Sequence, residues 1–173
     1  MSTTNNSERG WPAAREFRSV LGHFCSGLTV ITTVADGRPA GLTCQSFFSL
    51  SLDPPLVAFS VSKTSTTYPA LRDTGVCCVN VLAGNQRALS DGFARSGTDK
   101  WAGVAWSPGE ATGSPVLDGA LAWLECELQD EYETGDHLLA VARVRAVHSS
   151  QEGGPLLYFK GAYAHLGDSQ VTA

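Results

Sequence analysis

The chain has 173 residues, about one domain's length, since a division in two would leave each part a meagre core. Hydrophobic residues make up 43% and charged residues only 17%, with 18 glycines, which excludes a disordered chain or a coiled coil and indicates a turn-rich globular protein. A net charge of -5 denies the broad positive surface that phosphate backbones and anionic membranes attract, so neither nucleic acid nor membrane is expected as a partner.

Residues 1 to 14 read as a flexible polar tail. They lack the basic and apolar regions of a signal peptide, and no apolar run approaches the roughly 18 residues of a membrane span. A soluble, cytoplasmic protein is expected. Phe17, Val20, Leu21 and Phe24 recur at helical spacing and predict a short amphipathic helix before Gly27. LTVITTV (28–34) reads as a strand, and Asp36-Gly37 turns it into PAGLTC (39–44), which predicts a hairpin. QSFFSLS (45–51) and LVAFSV (56–61) form a second strand pair across Asp53-Pro54-Pro55. TTYPALRD (66–73) predicts one helical turn with hydroxyls at its start, and VCCVNVL (76–82) a buried strand. Leu89 and Phe93, four apart, mark a helix between Asn85 and Arg95.

Ser96 to Gly119 reads as a long ordered loop anchored by Trp101 and Trp106. LAWLECELQ (121–129) alternates, with Leu124, Cys126 and Leu128 on one face and Glu125, Glu127 and Gln129 on the other, as in a half-exposed strand. HLLAVARVRAV (137–147) is the longest strand candidate, with Arg143 and Arg145 on one face, and PLLYFKGAY (155–163) closes the series. About seven strands with two or three short helices predict a mainly β protein, an antiparallel barrel rather than alternating βαβ units. No G-x-G-x-x-G follows a strand and no P-loop is present, so a dinucleotide fold is not expected.

The five cysteines form no C-x-x-C, and the adjacent Cys77 and Cys78 send their thiols to opposite faces of a strand. Cys25, Cys44, Cys77, Cys78 and Cys126 are therefore expected as small buried hydrophobes in a reducing compartment. His23, His148 and His165 have no metal-ligand spacing, so no metal is expected, and no serine occupies a G-x-S-x-G elbow.

Two segments carry candidate chemistry. GLTCQSFFSLS (41–51) gathers Thr43, Gln45, Ser46, Ser49 and Ser51 beside Phe47 and Phe48. Hydroxyls among aromatics suit a planar polar ring such as a flavin, although a serine-rich solvent face has the same composition. SVSKTSTTYP (60–69) sets Lys63 among Ser62 and Ser65 before a helical turn, which suits an anion or simply a capped helix with a solvated lysine. A single strand separates the two segments, so both could grip one ligand, ring at one end and phosphate at the other. Gly135-Asp136-His137 opens the long strand, where Asp136 could orient His137 or only shape the turn.

FRSVLGHFCSGLTVITT, GLTCQSFFSLSLDPPLVAFSVSKTS, VCCVNVL with Gln86 and Phe93 downstream, LECEL, GDH and PLLYFKGAY, in this order, resemble the short-chain flavin reductase family over residues 15 to 166, leaving 167 to 173 as a C-terminal tail. These proteins are the reductase components of two-component flavin-dependent monooxygenases. The resemblance implies a Greek-key split β-barrel that forms a homodimer and transfers hydride directly from NADH to FAD or FMN, with no catalytic side chain. The reduced flavin would then pass to a partner monooxygenase.

By position, the resemblance assigns flavin contacts to Thr43, Gln45, Ser46, Phe47, Phe48, Ser49, Ser51 and Leu52, with Ser62, Lys63 and Ser65 toward the phosphate and Phe93 lining the cleft. His137 and Tyr163 fall where the family binds the nicotinamide. Gln45 and Phe48 depart from the smaller residues frequent in relatives. NADH is expected over NADPH because no basic cluster accompanies GDH. Rival readings are a flavin-binding module that stores or senses without turnover, and a ligand-free β-barrel whose hydroxyls are merely solvated.

Overall fold

The computed structural model describes residues 10–166, so most of the predicted N-terminal tail and all of the C-terminal one lie outside the described residues. Helix α1 (Ala14–Leu21) carries the predicted apolar spacing but buries none of its residues. A short strand, β1 (Ser26–Gly27), leads into β2 (Thr29–Ala35) and β3 (Arg38–Cys44). Asp36 and Gly37 take φ of 51° and 71° and pair Ala35 with Arg38, the two-residue turn whose twist matches that of its strands. β4 (Phe47–Leu52) and β5 (Pro55–Ser62) form the second predicted hairpin.

Helix α2 (Tyr68–Thr74), strand β6 (Val76–Val81) and helix α3 (Arg87–Ala94) follow as expected. The long loop is more structured than its composition suggested: β7 (Trp106–Pro108) and β8 (Pro115–Leu117) pair within it. β9 (Ala122–Thr134) and β10 (His137–Ser149) form the longest hairpin. PLLYFKGAY is not one strand. Lys160 and Gly161 take φ of 50° and 79° and fold it into β11 (Leu157–Phe159) and β12 (Ala162–Ala164).

The protein is mainly β, and its strands pair antiparallel. Seven strands form the principal sheet in the order β3-β2-β6-β9-β10-β5-β4, while β1, β11 and β12 form a small second sheet. From β5 the chain crosses through α2 to reach β6 beside β2, the Greek-key departure from a simple meander. The two edges of the principal sheet, β3 and β4, are consecutive strands joined only by Gln45 and Ser46. The sheet therefore curls back on itself and stays open along one seam, the split of the expected barrel.

Inside the curl, Ile31, Val57, Phe59, Cys77 and Cys126 pack against Tyr68 and Leu71 of α2. Residues as deeply buried as Phe59, Ile31 and Leu71, each 0% exposed, contribute about 1.5–3 kcal/mol apiece. A second core lies on the other face of β2, where Val30, Leu82, Leu117 and Phe93 meet Trp101 and Trp106. The two tryptophans are thus the loop's anchors, as predicted. Cys77 and Cys78 face opposite ways and are both fully buried, but Cys25 is exposed, contrary to expectation, because its segment leaves α1 before the core begins.

Glu125 is also misplaced by simple alternation: it is 0% exposed rather than on a solvent face. The loop before β8 folds over it, and its carboxylate accepts from the Thr112 N–H at 2.7 Å, the Thr112 hydroxyl at 2.8 Å and the Ala111 N–H at 3.1 Å. Gly109 permits this approach, since a Cβ there would collide with the carboxylate. Asn80 secures the next stretch of the loop by donating to Pro115 O and Val30 O and accepting from the Leu117 N–H. Arg145 meets Glu127, at 3.4 Å.

Glu125→Ala takes the acceptor from the Ala111 and Thr112 donors and opens a void at a fully buried position. It should lower unfolding free energy by about 2 to 4 kcal/mol with an unchanged urea m-value. A loss below about 0.5 kcal/mol in urea titration would show that water replaces the carboxylate.

Candidate functional site

A cavity of about 1080 Å³ opens at the seam between β3 and β4. Its inner wall is the end of β3, with Leu42, Thr43 and Cys44, and its lip is Gln45 and Ser46. Phe47 and Phe48 of β4 continue the wall, followed by Ser60 to Ser62 of β5 and the hydroxyls Thr64 to Thr67. His137 stands at the start of β10, Phe93 and Lys100 come from α3 and the loop after it, and Arg18 with Phe24 come from the α1 side.

Several lining residues are held in place by hydrogen bonds. Ser46 Oγ donates to Ser60 O at 2.9 Å and accepts from the Ser60 N–H at 3.2 Å, fastening the seam connection to β5. The Thr43 hydroxyl donates to Ser90 O at 2.6 Å, so toward the cavity it can only accept. The Cys44 thiol lies 3.6 Å from Ser46 Oγ and 3.7 Å from Ser60 O, and burial pushes its pKa up, so it remains a neutral thiol. Ser65 Oγ accepts from the Tyr68 N–H at 3.2 Å, which fixes the turn into α2.

The charges are one-sided. Arg18 and Lys100 line the cavity, and no aspartate or glutamate does among the described residues. Lys100 Nζ donates to Phe93 O at 3.0 Å, Gly41 O at 3.2 Å and Thr67 Oγ1 at 3.3 Å. Partial burial lowers its pKa, since desolvation disfavours the ammonium. At the opposite side His137 Nδ1 lies 2.7 Å from Asp136 Oδ1. The hydrogen bond from His137, then its charge, holds the Asp136 carboxyl below its usual range. An ionised carboxylate only accepts, so the Nδ1 proton points to it and Nε2 is left for a ligand.

Nine predicted residues therefore come together: Thr43, Gln45, Ser46, Phe47 and Phe48 on the seam, Ser62 at the end of β5 and Ser65 after it, and Phe93 and His137. Five do not line the cavity. The pairing of β4 with β5 slips between Ser49 and Ser51, and the strand runs on along the open edge, so Ser49 is exposed and Leu52 is 90% exposed. Lys63 turns outward to Glu133 at 2.9 Å, and this bond and charge lower the Glu133 pKa. Tyr163 lies behind the wall, its hydroxyl donating to Asp91 at 2.7 Å under the Arg87 guanidinium.

Sequence reasoning missed Lys100, Thr67 and Arg18. Lys100 had a legible signal, a lone cation beside the anchoring Trp101, but nothing local relates it to Gly41, 59 residues away. The described residues hold no cluster of His, Cys, Asp or Glu fit for a metal ion. Apolar rings, directional hydroxyls and unopposed positive charge suit a large, partly aromatic, anionic ligand.

Residues 21–167 match the family described as "Flavin reductase like domain". A protein of Rhodococcus jostii named flavin-dependent monooxygenase, reductase subunit HsaB, is 46% identical over 152 residues, 88% of this chain and 77% of the relative. The crystal structure of nitrilotriacetate monooxygenase component B from Mycobacterium thermoresistibile superposes with a TM-score of 0.88 at 42% identity, covering 92% of this chain and 89% of that one. The Streptomyces globisporus NADH:FAD oxidoreductase SgcE6, solved with NAD and FAD fragments, gives 0.86 at 31% identity, covering 98% and 99%.

Gly41 of β3 lies against Phe93, since a Cβ there would stand 2.8 Å from Phe93 Cε1. Gly41→Ala must push the Phe93 ring aside, and about 1–3 kcal/mol of stability should be lost in thermal or urea unfolding. Wild-type stability would show that the ring can yield freely.

Proposed function

The chain belongs to the flavin reductase-like family, and from that premise we propose that it transfers hydride from NADH to FAD or FMN and releases the reduced flavin to a separate flavin-dependent monooxygenase. The seam cavity carries this reading: there the predicted aromatics and hydroxyls meet Arg18 and Lys100, with no carboxylate in the lining among the described residues, in a protein of net charge -5. The names of the Rhodococcus and Streptomyces relatives, a monooxygenase reductase subunit and an NADH:FAD oxidoreductase, support it.

The residues present fit a flavin. Phe47, Phe48 and Phe93 offer apolar surface to a ring system, while Thr43 and Gln45 offer polar atoms to its edge. The volume of about 1080 Å³ exceeds that of most single-ligand sites, about 300–1000 Å³, and leaves room for a nicotinamide beside the ring. A flavin bound there supplies the hydride-accepting chemistry itself. The protein's work is then to orient and to exclude water, and much of the rate comes from holding the reactants at about 3–3.5 Å. His137, aligned by Asp136, is the polar contact proposed for the nicotinamide.

A homodimer is part of the proposal. α1 exposes Phe17, Val20 and Leu21, and the edge strand β4 exposes Phe48, Leu50 and Leu52. Apolar faces and open strand edges of this kind are ordinarily covered by a partner. Light scattering should give twice the 18.3 kDa chain mass, and a monomer at micromolar concentration would remove this part of the proposal.

Purified protein with NADH and free FAD or FMN should consume NADH and deliver reduced flavin to added oxygen. Binding of flavin without NADH loss would overturn the enzymatic reading in favour of a storage or sensing protein. His137→Ala should raise KM for NADH about 3- to 10-fold, the worth of one hydrogen bond, with kcat within about twofold. Unchanged nicotinamide kinetics would remove His137 from the site.

A further inference from the structure

We propose that Tyr163 is a positioning residue: through its bond to Asp91 it holds the second sheet at a fixed spacing from α3, and so sets how the hydride donor lies against the flavin. The inference rests on the reading of the cavity given above and goes beyond it, since Tyr163 does not line the cavity and acts on it from behind.

Two parts of the cavity wall come from outside the principal sheet. The second sheet and its turn contribute Ser26, Tyr158 and Gly161, and α3 contributes Phe93 and Ala94. Tyr163 of β12 joins these two parts. Its ring meets that of Tyr158, its cross-strand neighbour, edge-on at 5.5 Å. Its hydroxyl reaches α3, where it donates to Asp91 Oδ1 at 2.7 Å and lies 3.1 Å from Ser90 Oγ. The Arg87 guanidinium covers the same ring at 4.9 Å, and its Nε stands 3.6 Å from Asp91 Oδ2. Burial, above all, raises the Tyr163 pKa, so the phenol keeps the hydrogen that it gives to the carboxylate. A bond of this charge-assisted kind is about twice as strong as one between neutral groups.

The two parts are not equally secured. α3 has further ties, since the Thr43 hydroxyl donates to Ser90 O at 2.6 Å, Lys100 Nζ donates to Phe93 O at 3.0 Å, and Trp101 packs edge-on against Phe93 at 4.9 Å. The second sheet has fewer: among the described residues, its side-chain hydrogen bonds are those of Tyr163. Losing the Tyr163 hydroxyl therefore frees the wall that carries Tyr158 and Ser26, while Phe93 and the principal-sheet residues proposed for the flavin stay in place. The freed wall bounds the room left for the nicotinamide. Hydride transfer depends steeply on the separation of donor and acceptor, so the bond acts on turnover and not on flavin affinity.

Tyr163→Phe tests this, because it keeps the ring against Tyr158 and Arg87 and removes only the hydroxyl. The rate of flavin reduction in a single turnover at saturating NADH should fall about 5- to 10-fold, the worth of one hydrogen bond, with KM for NADH and the flavin Kd within about threefold. Asp91→Asn keeps an acceptor oxygen and should reduce flavin within about twofold of wild type, whereas Asp91→Leu should match Tyr163→Phe. Joining Tyr163→Phe to Asp91→Leu should cost no more than the slower single change, since both remove the same bond.

A wild-type reduction rate in Tyr163→Phe, whatever its melting temperature, would show that the hydroxyl only stabilises the fold and would overturn the proposal. A flavin Kd that weakens in step with the rate would also overturn it, as would additive losses in the double variant or an Asp91→Asn as slow as Asp91→Leu. If Tyr163→Phe does not fold, the two Asp91 variants decide, their side chain being 42% exposed: equal rates in both overturn the assignment. Wild-type protein that oxidises NADH beside an unaffected Tyr163→Phe sinks this assignment and leaves the reductase reading intact. Wild-type protein that oxidises no NADH sinks both.

Discussion

The structure depends on a sheet that curls but does not close. β3 and β4 are its two edges, yet they are neighbours in sequence, separated by Gln45 and Ser46 alone. Antiparallel strands so close in sequence would ordinarily pair across a tight turn. Here β4 pairs instead with β5, and Ser46 is fastened to Ser60 through both its backbone carbonyl and its hydroxyl. The edges are kept apart, and the gap that results is the cavity. Fold and site are therefore one feature, since the unsatisfied sheet edge that most proteins cover is here turned inward upon a ligand-sized space.

A gap of this kind would collapse or fill with loosely held side chains unless its walls were braced from behind. The bracing is largely polar and comes from far away in sequence. Ser90 O takes the Thr43 hydroxyl, Lys100 ties Gly41 O, Phe93 O and Thr67 together, and the Tyr163 hydroxyl reaches Asp91 and Ser90 on the same helix. Behind β2 and β6, Asn80 and Glu125 secure the loop that carries β7 and β8, and Trp101 of the same loop packs edge-on against Phe93 at 4.9 Å. Each bond removes freedom from a wall residue before any ligand arrives, which lowers the ordering cost of binding.

What was legible in the sequence was what depends on local pattern. The Asp36-Gly37 hairpin, the strand order along the chain, and the gathering of Thr43, Ser46, Phe47 and His137 all follow from alternation, turn chemistry and a motif read in order. The misread charged groups share a single physical origin. Glu125 alternated like a solvent-facing residue, but a segment ending about a dozen positions earlier folded over it and supplied its donors. Lys63 stood among hydroxyls, but β9 brought Glu133 to it. Lys100 sat in a stretch that looked like connecting loop, and only the folded chain sets it against Gly41. In each case the deciding partner for a charged group is remote in sequence, and alternation contains no information about it.

The same observation bears on the proposal that the site works without a catalytic acid, base or nucleophile. Cys44 is kept as a neutral thiol by burial, Lys100 is held by three acceptors, and His137 engages Asp136 through Nδ1. These engagements fit the proposal that a bound flavin carries the chemistry and the protein supplies alignment. Charge placement then has one task left, to decide which ligands enter. In a chain whose net charge is -5, a lining with no carboxylate among the described residues favours anionic ligands that fit, while the acidic exterior disfavours the polyanions that do not. Selectivity by sign comes from the walls, and selectivity by shape from a seam that the sheet cannot close.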